Sequence, residues 1–153
     1  MGKFIDNNVL TQVALIVRDI EATARKFAEF LDIPVPQIIG AGSYEITQTT
    51  YKGNPAPNAA CKMAFFPVGA NVMLELIEPN EEPSVWRDFL NERGEGLHHI
   101  AFNVKDMDGK VKTLASFGAE CVQRGKYGDG NGEYAYFDAT GDLKCYIELL
   151  ENY

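Results

Sequence analysis

Residues 12–35 can be laid on residues 99–122 without a gap, and six of the 24 positions are then identical: Ala14/Ala101, Val17/Val104, Asp19/Asp106, Ala28/Ala115, Phe30/Phe117 and Val35/Val122. An offset of 87 residues in a chain of 153 leaves room for two copies of one unit. The order of elements repeats with it. In the first half "TQVALIV" (11–17) reads as a strand, and Ile20, Ala24, Phe27 and Leu31 form one helical stripe behind Asp19 as N-cap. Pro34 and Pro36 stop that helix. A strand-like stretch (43–51), a polar loop with two prolines, and the strands "CKMAFFPV" and "NVMLELIE" follow. A connecting helix over about 83–93 ends at Gly94. The second half then reads strand ("HIAFNV"), helix ("KDMDGKVKTLASFG") and three strands ("AECVQRGK", "EYAYFDA", "LKCYIELL"). The expectation is one α+β domain over 1–153, with a βαβββ module over about 10–79 and another over about 97–151.

Charge narrows the partners. Fourteen basic against 22 acidic residues give −8, with no Lys/Arg run, so nucleic acid and anionic membranes are not expected partners and a small molecule is. No apolar run is long enough to span a bilayer, and "MGKFIDNN" carries no signal segment. Gly2 is followed by Asp6 where a myristoylation signal needs Ser or Thr. Three dispersed cysteines (Cys61, Cys121, Cys145) suit reduced thiols, and a cytoplasmic location is expected.

Strand parity then selects a polar face. Side chains alternate along a strand, so Val13, Leu15 and Val17 share one face and Gln12, Ala14 and Ile16 the other. Glu75 lies on the face of Met73, and Glu148 on the face of Tyr146 and Lys144. His98 and His99 are the only histidines, and parity sends them to opposite faces. If the helices cover the Val/Leu/Ile face, the other carries Gln12, Glu75, His99 and Glu148. A buried, unpaired carboxylate costs several kcal/mol, so it is neutralised, paired or bound to a cation. One imidazole, one amide oxygen and two carboxylates suit a divalent metal with room for water or substrate. His98 is then expected to be structural, and Asn103 and Tyr146 are further cleft-lining candidates.

The duplication and these four residues resemble the vicinal oxygen chelate, or glyoxalase/bleomycin resistance, superfamily over residues 10–151. The resemblance implies a glyoxalase-like α+β fold, in which the two βαβββ modules form a cupped mixed sheet with helices on the outer face. It places one metal at the centre, with Gln12, Glu75, His99 and Glu148 as ligands. The stretch "LELIEPNEEPSVWRDFLNERGEGLHHIAFNVKDMDG" is most similar to the methylmalonyl-CoA epimerase subgroup. That subgroup usually has His at the first ligand position, where this chain has Gln12; a Gln/Glu/His/Glu set resembles some glyoxalase I enzymes.

Both relatives imply proton transfer beside a carbonyl, with a metal (Zn, Ni, Co or Mn) stabilising the developing charge. Glu148 is the first choice of base, and Glu75 lies across the metal from it. An acyl thioester is the implied substrate and a homodimer the implied assembly. A lactoylglutathione lyase is the alternative activity, and a non-catalytic binding protein of the same fold is the alternative of another class. An iron dioxygenase needs two inward-facing histidines, which parity denies. Lys52, Lys62, Arg124 and Lys126 are scattered cations that could meet phosphates, and "KYGDGNGEY" reads as a hairpin turn rather than a phosphate loop.

Overall fold

The computed structural model describes residues 4–153, so Gly2 lies outside the described residues. The chain begins with β1 (Leu10–Ile16) and α1 (Ile20–Leu31). The Asp19 carboxylate accepts a hydrogen bond from the Ala22 N–H at 2.9 Å, capping α1 as its sequence position implies. Ile20, Ala24 and Ala28 of α1 bury against Ala64, Phe66 and Leu76, with Phe27 and Leu31 at the margin of that core.

The chain continues through β2 (Ile39–Gly40), α2 (Tyr44–Thr47), β3 (Thr50–Tyr51), β4 (Asn54–Pro55), β5 (Cys61–Pro67) and β6 (Met73–Pro79). The connecting helix α3 (Val85–Arg93) starts at Ser84, whose hydroxyl accepts from the Arg87 N–H, and ends at Gly94. The remainder is β7 (Gly96–Asn103), α4 (Met107–Phe117), β8 (Glu120–Lys126), β9 (Gly132–Asp138) and β10 (Tyr146–Asn152).

All ten strands form one mixed sheet in the order β2-β5-β6-β1-β7-β10-β9-β8-β3-β4. Its arrangement is nearly symmetric about the antiparallel β1–β7 pair, for β1 lies parallel to β6 and β7 lies parallel to β10. The helices α1 and α4 cover the outer face: Leu114 and Met107 of α4 pack with Phe137, Ile147 and Leu149. The third helix closes one end of the inner face, where Trp86, Phe89 and Leu90 meet Ala14, Ile16, Ile77 and Tyr136. Buried Gln123 holds it there, accepting the Val85 N–H at 2.9 Å and so satisfying a helix-terminal donor.

The segment 43–51 departs from the expected strand. Tyr44–Thr47 is one helical turn, closed by Gln48 in the left-handed conformation, whose side-chain amide donates to the Tyr44 and Glu45 carbonyls. Alternation in "SYEITQTTY" gives way to local bonds because only Thr50 and Tyr51 reach a strand partner. That partner is β8 at the far side of the sheet, opposite Arg124 and Gln123. Residues 41–60, between β2 and β5, thus form an insertion that crosses from the first half of the chain to the second. Gly42 makes the crossing tight: its φ is +98°, and a Cβ there would lie 2.5 Å from the Gly128 Cα. Gly42→Ala is expected to cost about 2 kcal/mol in urea unfolding, since neither backbone can yield cheaply. A loss below about 0.5 kcal/mol would mean that the insertion is not held down at this point.

Candidate metal centre

Four adjacent central strands, β6, β1, β7 and β10, bring Glu75, Gln12, His99 and Glu148 to the inner face. The register sets their rows. Ala14 lies opposite both Glu75 and His99, while Ala101 lies opposite both Gln12 and Glu148. The repeated alanines thus occupy the floor between the donors, and their small side chains leave the centre open. Glu75 and Glu148 are each 4% exposed and His99 is fully buried.

His99 Nε2 stands 3.0 Å from Glu148 Oε2 and 3.3 Å from Glu75 Oε2. Even so, none of these three buried atoms has a hydrogen-bond partner. The distances make an ion pair with each carboxylate, but the ring's N–H is not aligned on either oxygen. Buried polar atoms without a partner are rare in a core, and this set of one imidazole and two carboxylates has the chemistry to accept a cation. Donors bound at about 2.1 Å to one ion stand about 3.0 Å apart at right angles and about 3.4 Å apart tetrahedrally, which matches both spacings. Glu75, His99 and Glu148 could hold a metal ion, their donor atoms all lying within 4.8 Å of one another.

The electrostatics agree. Burial lowers the basicity of His99, but Glu148 and then Glu75 outweigh it and push the imidazole up to about 9. Burial raises the Glu75 carboxyl above the usual range, against the pull of His99.

Parity fails at His98. Between Ala14 and Leu15 the β1–β7 register steps from His99 to Leu97, so His98 is the extra residue of a bulge. Its ring therefore lies on the side of His99, stacked on Tyr146 at 4.8 Å and edge-on to Phe89 at 5.1 Å. Its Nδ1 is 2.9 Å from His99 Nδ1, and its Nε2 is 3.3 Å from the Val85 carbonyl oxygen. Both histidines face inward, and His98 stays out of the donor set because its nitrogens are otherwise engaged. Burial holds its basicity well below the ordinary value.

Above the donors lies a cavity of about 420 Å³ with Gln12, Glu75 and Glu148 in its lining. Its walls are mainly apolar and aromatic, including Met63, Phe65, Trp86, Tyr134 and Tyr136. Trp86 is fixed by its indole N–H, which donates to the Tyr136 hydroxyl at 3.0 Å. Residues 11–137 match the Glyoxalase/Bleomycin resistance protein/Dioxygenase superfamily. The chain belongs to that superfamily.

The chain is similar to other proteins at different distances. It is 36% identical over 90 residues to the uncharacterized protein YqjC of Bacillus subtilis (strain 168), a match spanning 58% of this chain and 64% of that protein. Among solved structures, the fold is similar to methylmalonyl-CoA epimerase from Mycobacterium tuberculosis (TM-score 0.65, 20% identity, 100% of this chain and 92% of that one). It is also similar to a variant of the Streptomyces coelicolor epimerase in complex with 2-nitronate-propionyl-CoA (TM-score 0.64, 17% identity, 94% and 96% covered).

The remaining sequence candidates of this superfamily member sort by position. Gln12 is half-buried and lines the cavity without a side-chain hydrogen bond among those found for the described residues. Asn103 is exposed in a neighbouring cleft beyond Gln12, and Tyr146 braces His98. Lys144 lies in the turn before β10 rather than on the strand. Arg124 is engaged by Asp108 and Glu133, each at 2.8 Å, and Lys62 by Glu78 at 3.4 Å. Lys52 lies over the Tyr51 ring. Lys126, over the Tyr153 ring, is the cation at the cavity. "KYGDGNGEY" forms the β8–β9 hairpin, closed by Tyr127 N–H to the Gly132 carbonyl at 2.9 Å. Sequence reading missed the aromatic walls. Parity in "EYAYFDA" offers the signal, since Tyr134 and Tyr136 alternate with outward Ala135 and Phe137.

Proposed function

We propose that this chain is a metal-dependent isomerase that moves a proton α to a thioester carbonyl, most like methylmalonyl-CoA epimerase. The observation that carries the reading is the convergence of three orphaned donor atoms on the floor of an apolar cavity. Gln12, Glu75, His99 and Glu148 are the proposed holders of one divalent ion, with Zn, Ni, Co and Mn all compatible with N/O donors. Such an ion supplies Lewis acidity where negative charge develops on a carbonyl oxygen.

The protein's own groups do the rest in this reading. Glu148 takes the α proton from one face, and Glu75, in its protonated form, delivers a proton to the opposite face of the same carbon. Each inversion thus leaves the proton on Glu148 and the charge on Glu75; both carboxylates flank His99 Nε2. Phe65, Trp86 and Tyr136 exclude water, which strengthens every charge interaction on the floor. The acyl-CoA ligand named with the epimerase neighbour supports a thioester substrate for this fold. We read residues 1–153 as one domain of two modules, acting as a cytoplasmic homodimer. Among the described residues no helix is long and apolar enough to cross a membrane.

Gln12 favours a second reading, a lactoylglutathione lyase of the glyoxalase I type, where the same proton transfer acts on a hemithioacetal. Elemental analysis of the purified protein, followed by deuterium exchange in the presence of the ion, separates these. About one ion per chain and deuterium at the α-carbon of methylmalonyl-CoA are expected. Hemithioacetal turnover without that exchange would transfer the assignment to the lyase. No metal after reconstitution and no exchange would leave a binding protein of the same fold.

A further inference from the structure

His98 and His99 form a hydrogen-bonded pair whose direction is set from one end. Val85 contributes a carbonyl oxygen, which can only accept, and it lies 3.3 Å from His98 Nε2. His98 is fully buried, with no solvent to relieve a mismatch. A lone pair on Nε2 facing that oxygen would leave two buried acceptors in opposition, each without a donor. The proton of His98 therefore sits on Nε2, and its Nδ1 is an acceptor. Nδ1 of His99 is 2.9 Å away and must then be the donor. With its proton on Nδ1, His99 presents Nε2 to Glu75 and Glu148, the atom that lies 3.3 and 3.0 Å from their carboxylates.

We infer that His98 is a positioning residue: the relay Val85 carbonyl–His98–His99 holds a proton on His99 Nδ1 and so commits His99 Nε2 to the metal. The bulge in β7 is what allows this, because it turns the His98 ring to the side of its neighbour. The inference rests on the metal reading above. It adds the reason why two adjacent histidines share one side of the sheet. Residues that orient a metal-bound imidazole through its second nitrogen typically change metal affinity about 10–100-fold when lost.

The chain has only two histidines, so long-range ¹H–¹⁵N spectra of histidine-labelled protein resolve each ring nitrogen. In wild type, His98 is expected to be protonated at Nε2 alone, and His99 to keep its Nδ1 proton both without metal and with zinc. His98→Phe retains a ring against Tyr146 and Phe89 but removes the acceptor; zinc affinity, measured against a competing chelator, should fall about 10–100-fold. His98→Gln restores an acceptor oxygen and should recover most of that loss. A His98 Nδ1 proton in wild type, or a folded His98→Phe protein with wild-type zinc affinity, would overturn the inference and leave the metal reading standing. Failure of wild type to bind zinc would overturn the metal reading, and the positioning role with it.

Discussion

The Glu148→Gln protein is expected to fold, to hold less of the proposed divalent ion and to exchange the α proton of methylmalonyl-CoA about 10³-fold more slowly than wild type. Glu148 sits in mid-strand, with β10 paired on one side to β7 and on the other to β9, so the backbone does not depend on its side chain. Its Oε2 is one of the three orphaned atoms, and an amide in its place carries neither the charge nor the basicity that the site needs. Circular dichroism checks the fold, elemental analysis the ion and deuterium incorporation the rate. Retention of both ion and exchange would remove Glu148 from the proposed machinery and shift the base to Glu75. Loss of exchange with the ion retained would make it a base and not a ligand.

The second large effect is one of pH. Without metal, the His99 imidazole is pushed up to about 9 by the two carboxylates. An ion binding at Nε2 must displace that proton. Apparent metal affinity should therefore rise about tenfold per pH unit from about pH 6.5 to pH 9, then level off. Stability of the metal-free protein runs the other way. A folded pKa above the unfolded 6.5 contributes stability that is complete below pH 6.5 and is lost as pH rises through about 9. The loss is on the order of 3 kcal/mol. Metal-saturated protein should show no such decline. Calorimetric unfolding with and without the ion, across this window, reads both. A flat affinity profile would mean that the ion does not compete for His99 Nε2.

Much of the scaffold was legible because its causes are local. The α1 stripe and the Asp19 cap follow from periodicity and one side-chain bond. Glu75 and Glu148 were legible as a pair because a carboxylate within an apolar strand has few stable environments. The insertion was not legible, because its two strand residues pair with β8, some 70 positions onward, and alternation cannot name a partner. The inward turn of His98 was not legible either. Parity assumes an unbroken register, and the bulge arises only when β7 is laid against β1. Trp86 became a wall residue only through Tyr136, which lies on a strand of the other half.

By itself, then, the order of residues determined the two repeated units, their helix ends and which strands carry carboxylates, since each depends on neighbours a few positions apart. The tertiary structure alone decided what those carboxylates meet. Bringing four strands from distant parts of the chain side by side places Glu75 and Glu148 against His99 with three polar atoms unsatisfied. That frustration depends on spacings of about 3 Å across the sheet, which no reading along a single strand contains.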